Sequence, residues 1–157
     1  MKNEQGFSLI ELLIVVAIIA IIAAIAVPSM LTAREAANES AGIQACRTFG
    51  SAEVAYSATN NQQYTNIAGL QAGNFVDSRF TASGVLVGGY VYTDGVVITD
   101  PVSTQVVGGA SPALFGILAT HQAGLSRWDF EIGADEVVRY GPVAAPAGAP
   151  NAPIGKG

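Results

Sequence analysis

The chain of 157 residues has one cysteine, one histidine, seven basic residues and few charges of either sign, 12% of its composition. Each scarcity excludes something. The lone Cys46 rules out an intrachain disulfide. With His121 as the only imidazole and no second ligand at metal spacing, no metal-centred chemistry is legible. A net charge of −5 and a pI near 4.6 leave no basic patch for nucleic-acid phosphates, so no direct nucleic-acid binding is expected. Neither a phosphate-binding glycine loop nor a haem-attachment motif occurs. No catalytic residue and no cofactor is therefore assigned, and an enzyme is disfavoured.

What the chain does have is a long apolar run. From Phe7 to Val27 only Ser8 and Glu11 are polar. At about 1.5 Å per residue the run spans roughly 32 Å, the thickness of a bilayer's hydrocarbon core. A carboxylate placed four residues into such a run, with no basic residue near it, is costly unless partnered and so points to function. Hydrolysis after Gly6 would supply a partner, because Phe7 would then carry a free α-amine at the same end of the helix. Within one subunit amine and carboxylate are about one turn apart; between two staggered parallel helices they would pair directly. Ser8-Leu9-Ile10-Glu11 also reads as a capping box, which by itself explains neither the six residues before it nor the sustained run behind it. An ordinary secretory signal does not fit: its apolar core is shorter and ends at a small-residue cleavage site, whereas this one continues into the protein.

Gly6-Phe7-Ser8-Leu9-Ile10-Glu11-Leu12, preceded by a short leader with Lys2, closely resembles the class III signal sequence of type IV pilins and their pseudopilin relatives. The resemblance is strongest over residues 1–30. It implies that a prepilin peptidase cleaves after Gly6 on the cytoplasmic side and N-methylates Phe7. It further implies that Glu11 neutralises the Phe7 amine of a neighbouring subunit during assembly, and that Pro28 introduces curvature or local melting into the long helix. Identical subunits, the peptidase, the membrane before assembly and an inner-membrane assembly platform driven by a cytoplasmic ATPase are the implied partners. The implied location is the inner membrane for the precursor, then a pilus at the cell surface. The function read from this is a structural subunit polymerised into an extracellular filament for adhesion, motility or DNA uptake. The alternative is a pseudopilin of a type II secretion system, forming a short periplasmic filament.

The fold class that follows is α+β: a long N-terminal helix whose second half packs on a small antiparallel sheet. The expected divisions are a leader (1–6), a membrane and filament-core helix (7–28), a head including the rest of the helix (29–140) and a tail (141–157). Pro28 lacks an N–H and crowds the Ala24 carbonyl, so a kink or loosening is expected there. Beyond it Ala33, Ala37, Ala41, Ala45, Phe49, Ala52 and Tyr56 recur at helical steps and are read as the face packed on the head. Arg34, Glu35, Asn38, Glu39, Arg47 and Glu53 are read as the opposite face. The polar stretch 60–83 connects helix to sheet. Val85–Tyr92 and Val96–Thr99 read as a hairpin across Thr93-Asp94-Gly95, and residues 114–120 as a strand or short helix. Arg127–Ile132 pairs with Glu136–Tyr140 across Gly133-Ala134-Asp135. A sheet of three to five strands is expected. The tail holds four of the seven prolines among Ala and Gly and reads as extended or disordered, available to lie along a neighbouring subunit. Asp129, Glu131, Asp135 and Glu136 cluster in sequence where a Ca²⁺ loop is conceivable, although solvated turn charges are the favoured reading.

Overall fold

The computed structural model describes residues 7–99, 105–109, 112–142 and 152–153. Contacts divide the chain into two compact units, residues 1–34 and 35–157. Helix α1, Leu9–Thr59, enters both and continues unbroken through Pro28. In the first unit every described side chain is exposed, including all the large apolar ones from Phe7 to Leu31.

The second unit is built on the C-terminal part of α1. There the buried residues are Gly42, Cys46, Phe49, Gly50, Ala52 and Glu53. The stripe is therefore rotated from the one read from alanine spacing: Ala41 is exposed, Ala45 half-buried, and Glu53 moves from the outer face to the core. Close approach explains the rotation. A Cβ on Gly42 would stand 3.0 Å from the Tyr90 ring and 3.1 Å from Phe130, and one on Gly50 would lie 2.7 Å from Ile132 Cδ1. The sheet thus packs against the two positions of α1 that offer no side chain. The cost of about 1 kcal/mol for glycine in a helix is offset by that contact.

After α1 the chain turns through Asn61 and Gln62, both at left-handed φ (55° and 60°), with the Gln62 N–H donating to the Ser57 carbonyl at 2.9 Å. Consecutive non-glycine residues in this region are strained. Gln62→Gly is expected to stabilise the head by about 1 kcal/mol, read as a higher unfolding midpoint in a thermal melt. The stretch 60–83 contains a short helix, α2 (Ile67–Ala72). Asn66 starts it, its Oδ1 accepting the Gly69 N–H at 2.8 Å.

The main sheet is antiparallel with strand order β1-β2-β5-β6-β7-β8: Val85–Val87, Tyr90–Asp94, Gly116–His121, Trp128–Gly133, Arg139–Pro142 and Ala152–Pro153. Its six strands exceed the expected three to five, the outermost contributed by the tail, where Ala152 faces Tyr140. The first hairpin also differs from the sequence reading. Val85–Tyr92 is not one strand but two, β1 and β2, turned at Gly88 (φ 61°) and Gly89 (φ 85°). Two successive positive φ values make the tight turn that suits strand twist, and glycine adopts them without strain. The expected partner, Val96–Thr99, instead supplies β3 (Ile98–Thr99), which joins β4 (Val106–Gly108) in a separate two-stranded ribbon. Residues 116–121 resolve to a strand, β5, paired with both β2 and β6. The last hairpin forms as read, with Glu131 opposite Arg139, but β7 begins at Arg139 because Glu136 is left-handed (φ 57°) and the turn is longer.

Phe49, Phe80, Tyr90, Tyr92 and Phe130 form a connected aromatic core between α1 and the sheet, with ring centroids 4.9 to 6.5 Å apart. Edge-to-face and tilted pairs of this kind add stabilisation beyond the area they bury. Residues 122–127 are fastened to the helix: Asn38 Nδ2 donates to the Leu125 carbonyl at 2.7 Å, and Glu39 Oε1 accepts from the Ser126 hydroxyl and the Arg127 N–H.

Candidate functional site

The candidate site is the start of α1. Ser8 immediately precedes the first helical residue, and its N–H donates to Glu11 Oε2 at 2.9 Å while its carbonyl accepts the Leu12 N–H at 3.2 Å. This is the Glu-to-cap half of the capping box read from the sequence, and it satisfies a helix-terminal donor that hydrocarbon cannot. In a single chain Glu11 is thus already held by a backbone amide. Phe7 is 88% exposed, and Gly6 lies outside the described residues. Behind Glu11 the apolar side chains are uncovered on every side of the helix. α1 is long and apolar enough to cross a membrane. An exposed surface of this kind marks contact with lipid or with other protein helices. Pro28 sits inside the helix, where the Ala24 carbonyl necessarily lacks its usual donor.

The remaining residues singled out from the sequence lie in the second unit and are drawn into packing. Cys46 is fully buried; burial, with the Glu131 charge adding, pushes its thiol up to about 12, so it is an inert small hydrophobe. His121 ends β5 with its side chain largely buried, Nδ1 lying 2.8 Å from Asp129 Oδ1, and that same oxygen accepts the His121 N–H at 2.8 Å. Asp129 is thereby committed to β5. Asp135 is paired with the buried Arg139, whereas Glu131 is buried and Glu136 exposed. The four acidic residues are dispersed, and among the described residues no group of three potential ligands is placed to hold a metal ion. The Asn38 side chain, read as part of the outer face of the helix, is used in the bond to Leu125.

Among the described residues, clefts open on the second unit. One of about 290 Å³ is lined by Tyr64, Asp94 and Phe115 among others, and one of about 330 Å³ by Gln44, Thr48, Asp77 and Arg79 among others. Neither lining combines a serine or cysteine nucleophile with a histidine base. Glu53 and Arg139 are core residues that the sequence pattern does not announce. Alternation would have placed Arg139 on one face of β7, but no local signal marks Glu53, whose partner amide is 12 positions away.

A long N-terminal helix packed through its C-terminal half on an antiparallel sheet is an α+β, pilin-like fold. Two comparisons with known proteins agree. Residues 1–27 match the family described as "Prokaryotic N-terminal methylation motif". Over 70 residues the chain is 43% identical to the type IV wide pilus major component PilA4 of Thermus thermophilus, a match covering 45% of this chain and 53% of that protein. The chain thus spans about half the length of the relative it matches. Both findings bear out the resemblance to type IV pilins.

Proposed function

We propose that this chain is the precursor of a structural subunit of a type IV pilus, anchored in the inner membrane by its apolar helix and then polymerised into an extracellular filament. The observation that carries the reading is a helix start bearing one carboxylate, Glu11, ahead of an apolar surface that no described residue covers. Lipid satisfies that surface before assembly; parallel copies of the same helix satisfy it afterwards. Residues 1–6 are the leader. Cleavage after Gly6 by a prepilin peptidase frees the Phe7 amine, which the same enzyme methylates. Glu11 of one subunit then meets the Phe7 amine of the next, and an intramembrane charge becomes a pair. Pro28 removes one helical hydrogen bond and gives the segment 7–28 a place to bend or melt as subunits pack. Residues 29–140 form the head and 141–157 the tail. The fibre would serve adhesion, motility or DNA uptake, roles in which the subunit is structural and not an enzyme.

Processing is tested by intact-mass and N-terminal peptide analysis of the chain recovered from membranes of cells with and without a prepilin peptidase. The expected product begins at Phe7 and carries one added methyl group only where the peptidase is present. A chain that retains Met1–Gly6 in both strains would overturn the assignment.

A further inference from the structure

Glu53 lies in the C-terminal part of α1 with its side chain fully buried. Its Oε2 accepts the Thr65 N–H at 3.0 Å, while Oε1 has no hydrogen-bond partner among the described residues. Asp94, at the end of β2, accepts the Ile67 N–H through Oδ2 at 2.9 Å, and its negative charge acts on Glu53. One carboxyl group from the helix and one from the sheet therefore hold backbone amides two positions apart, on either side of Asn66, where the chain enters α2. Among the described residues no positive charge compensates. α2 carries no ionisable side chain, residues 60–66 contribute only Tyr64, and among the described residues no cation pairs with Glu53.

A buried carboxylate oxygen without a donor, beside a second carboxylate, is stable only if one of the two groups stays protonated. Asp94 is nearer solvent and Glu53 is sealed, so the proton belongs on Glu53 Oε1. We infer that Glu53 and Asp94 form a proton-operated latch: neutral Glu53 keeps the segment 60–72 closed on the head, and loss of its proton releases that segment.

Burial, opposed by the Thr65 hydrogen bond and reinforced by the Asp94 charge, pushes the Glu53 carboxyl up to about 7, from 4.5 for the free group. Because the folded value is raised, the closed state has its full advantage below about pH 4.5 and loses it as pH rises through about 7. The moving part is defined by its other anchors. The Tyr64 N–H donates to the Pro112 carbonyl at 2.8 Å, and the Tyr64 ring packs edge-on against Phe115 at 5.0 Å. Tyr64 and Thr65 from this segment and Asp94 and Phe115 from the sheet side line the cleft of about 290 Å³, so release of the segment removes one wall of that cleft and exposes Phe115.

The test uses the full chain in detergent micelles, with carbon-detected NMR titration of the Glu53 carboxyl and amide exchange of Thr65 and Ile67. Glu53 is expected to titrate near pH 7. Protection of the two amides should fall at least about tenfold between about pH 5.5 and about pH 8.5. Glu53→Gln should abolish that pH dependence, and Asp94→Asn should move the Glu53 midpoint downward. A Glu53 midpoint near the free value in the wild-type chain overturns the latch without any variant having to fold. So does an equal loss of protection in Glu53→Gln, or an unmoved midpoint in Asp94→Asn.

Discussion

Glu11→Ala is expected to leave the subunit in the membrane and to stop filament growth. The substitution removes the one ionisable group from the apolar run, so insertion becomes easier. It also takes away the acceptor of the Ser8 N–H, a capping loss of about 1 kcal/mol that frays the first turn without unmaking a helix of this length. The larger effect falls on assembly. A Phe7 ammonium brought among apolar helices without a counter-charge carries a desolvation cost of several kcal/mol, enough to make each addition step unfavourable. Glu11→Gln separates the two roles, because an amide oxygen still accepts from Ser8 but carries no charge. Electron microscopy of surface fibres, normalised to subunit in the membrane fraction, should show normal subunit levels and few or no fibres for both variants. Fibres at wild-type abundance in Glu11→Gln would reduce Glu11 to a cap.

Gly116→Ala is the substitution expected to damage the head most. Gly116 opens β5 opposite Gly133 of β6, and the ribbon carrying β3 and β4 lies directly across both. A Cβ on Gly116 would sit 1.9 Å from the Val96 carbonyl oxygen and 3.0 Å from the Gly109 nitrogen; on Gly133 it would sit 2.4 Å from the Val107 carbonyl oxygen. These obstacles are backbone, not side-chain ends that can swing away. Val96 is moreover held in place, its N–H donating to the Gly116 carbonyl at 3.1 Å, and the Ala134 N–H holds Val107 at 2.7 Å. Accommodating a methyl group means displacing the ribbon, at a cost of about 3 kcal/mol or more. Gly109→Ala is the control: a Cβ there meets no described atom within 4 Å at an ordinary φ, and its effect should stay within about 0.5 kcal/mol. Thermal unfolding of the full chain in micelles should show a large drop in midpoint for the first and almost none for the second. Equal midpoints would mean that the ribbon does not rest on β5.

The N-terminal segment was legible because its signal is local: a capping carboxylate, a run of uninterrupted hydropathy and a motif in register. The C-terminus of α1 and the last hairpin were legible for the same reason, since polar punctuation after Thr59 and clean alternation around Gly133 act over a few residues. The first hairpin was misread because Gly88-Gly89 sits inside a valine-rich run, and composition alone does not distinguish a tight turn from a glycine tolerated in a strand. The buried stripe of α1 was misassigned because small residues line two sides of that helix. Which side packs is decided by where the rings of Tyr90 and Phe130 arrive from the distant sheet. Glu53 and the His121–Asp129 pair escaped detection because a polar residue becomes tolerable in a core only through partners supplied by the folded chain.

The most direct measurement is electron microscopy of material sheared from the cell surface, with mass spectrometry of its principal subunit. Long fibres whose subunit begins at N-methylated Phe7 are expected. A chain cleaved at Phe7 but confined to the envelope, with no surface fibre, would contradict the pilus assignment and leave a short periplasmic assembly in its place.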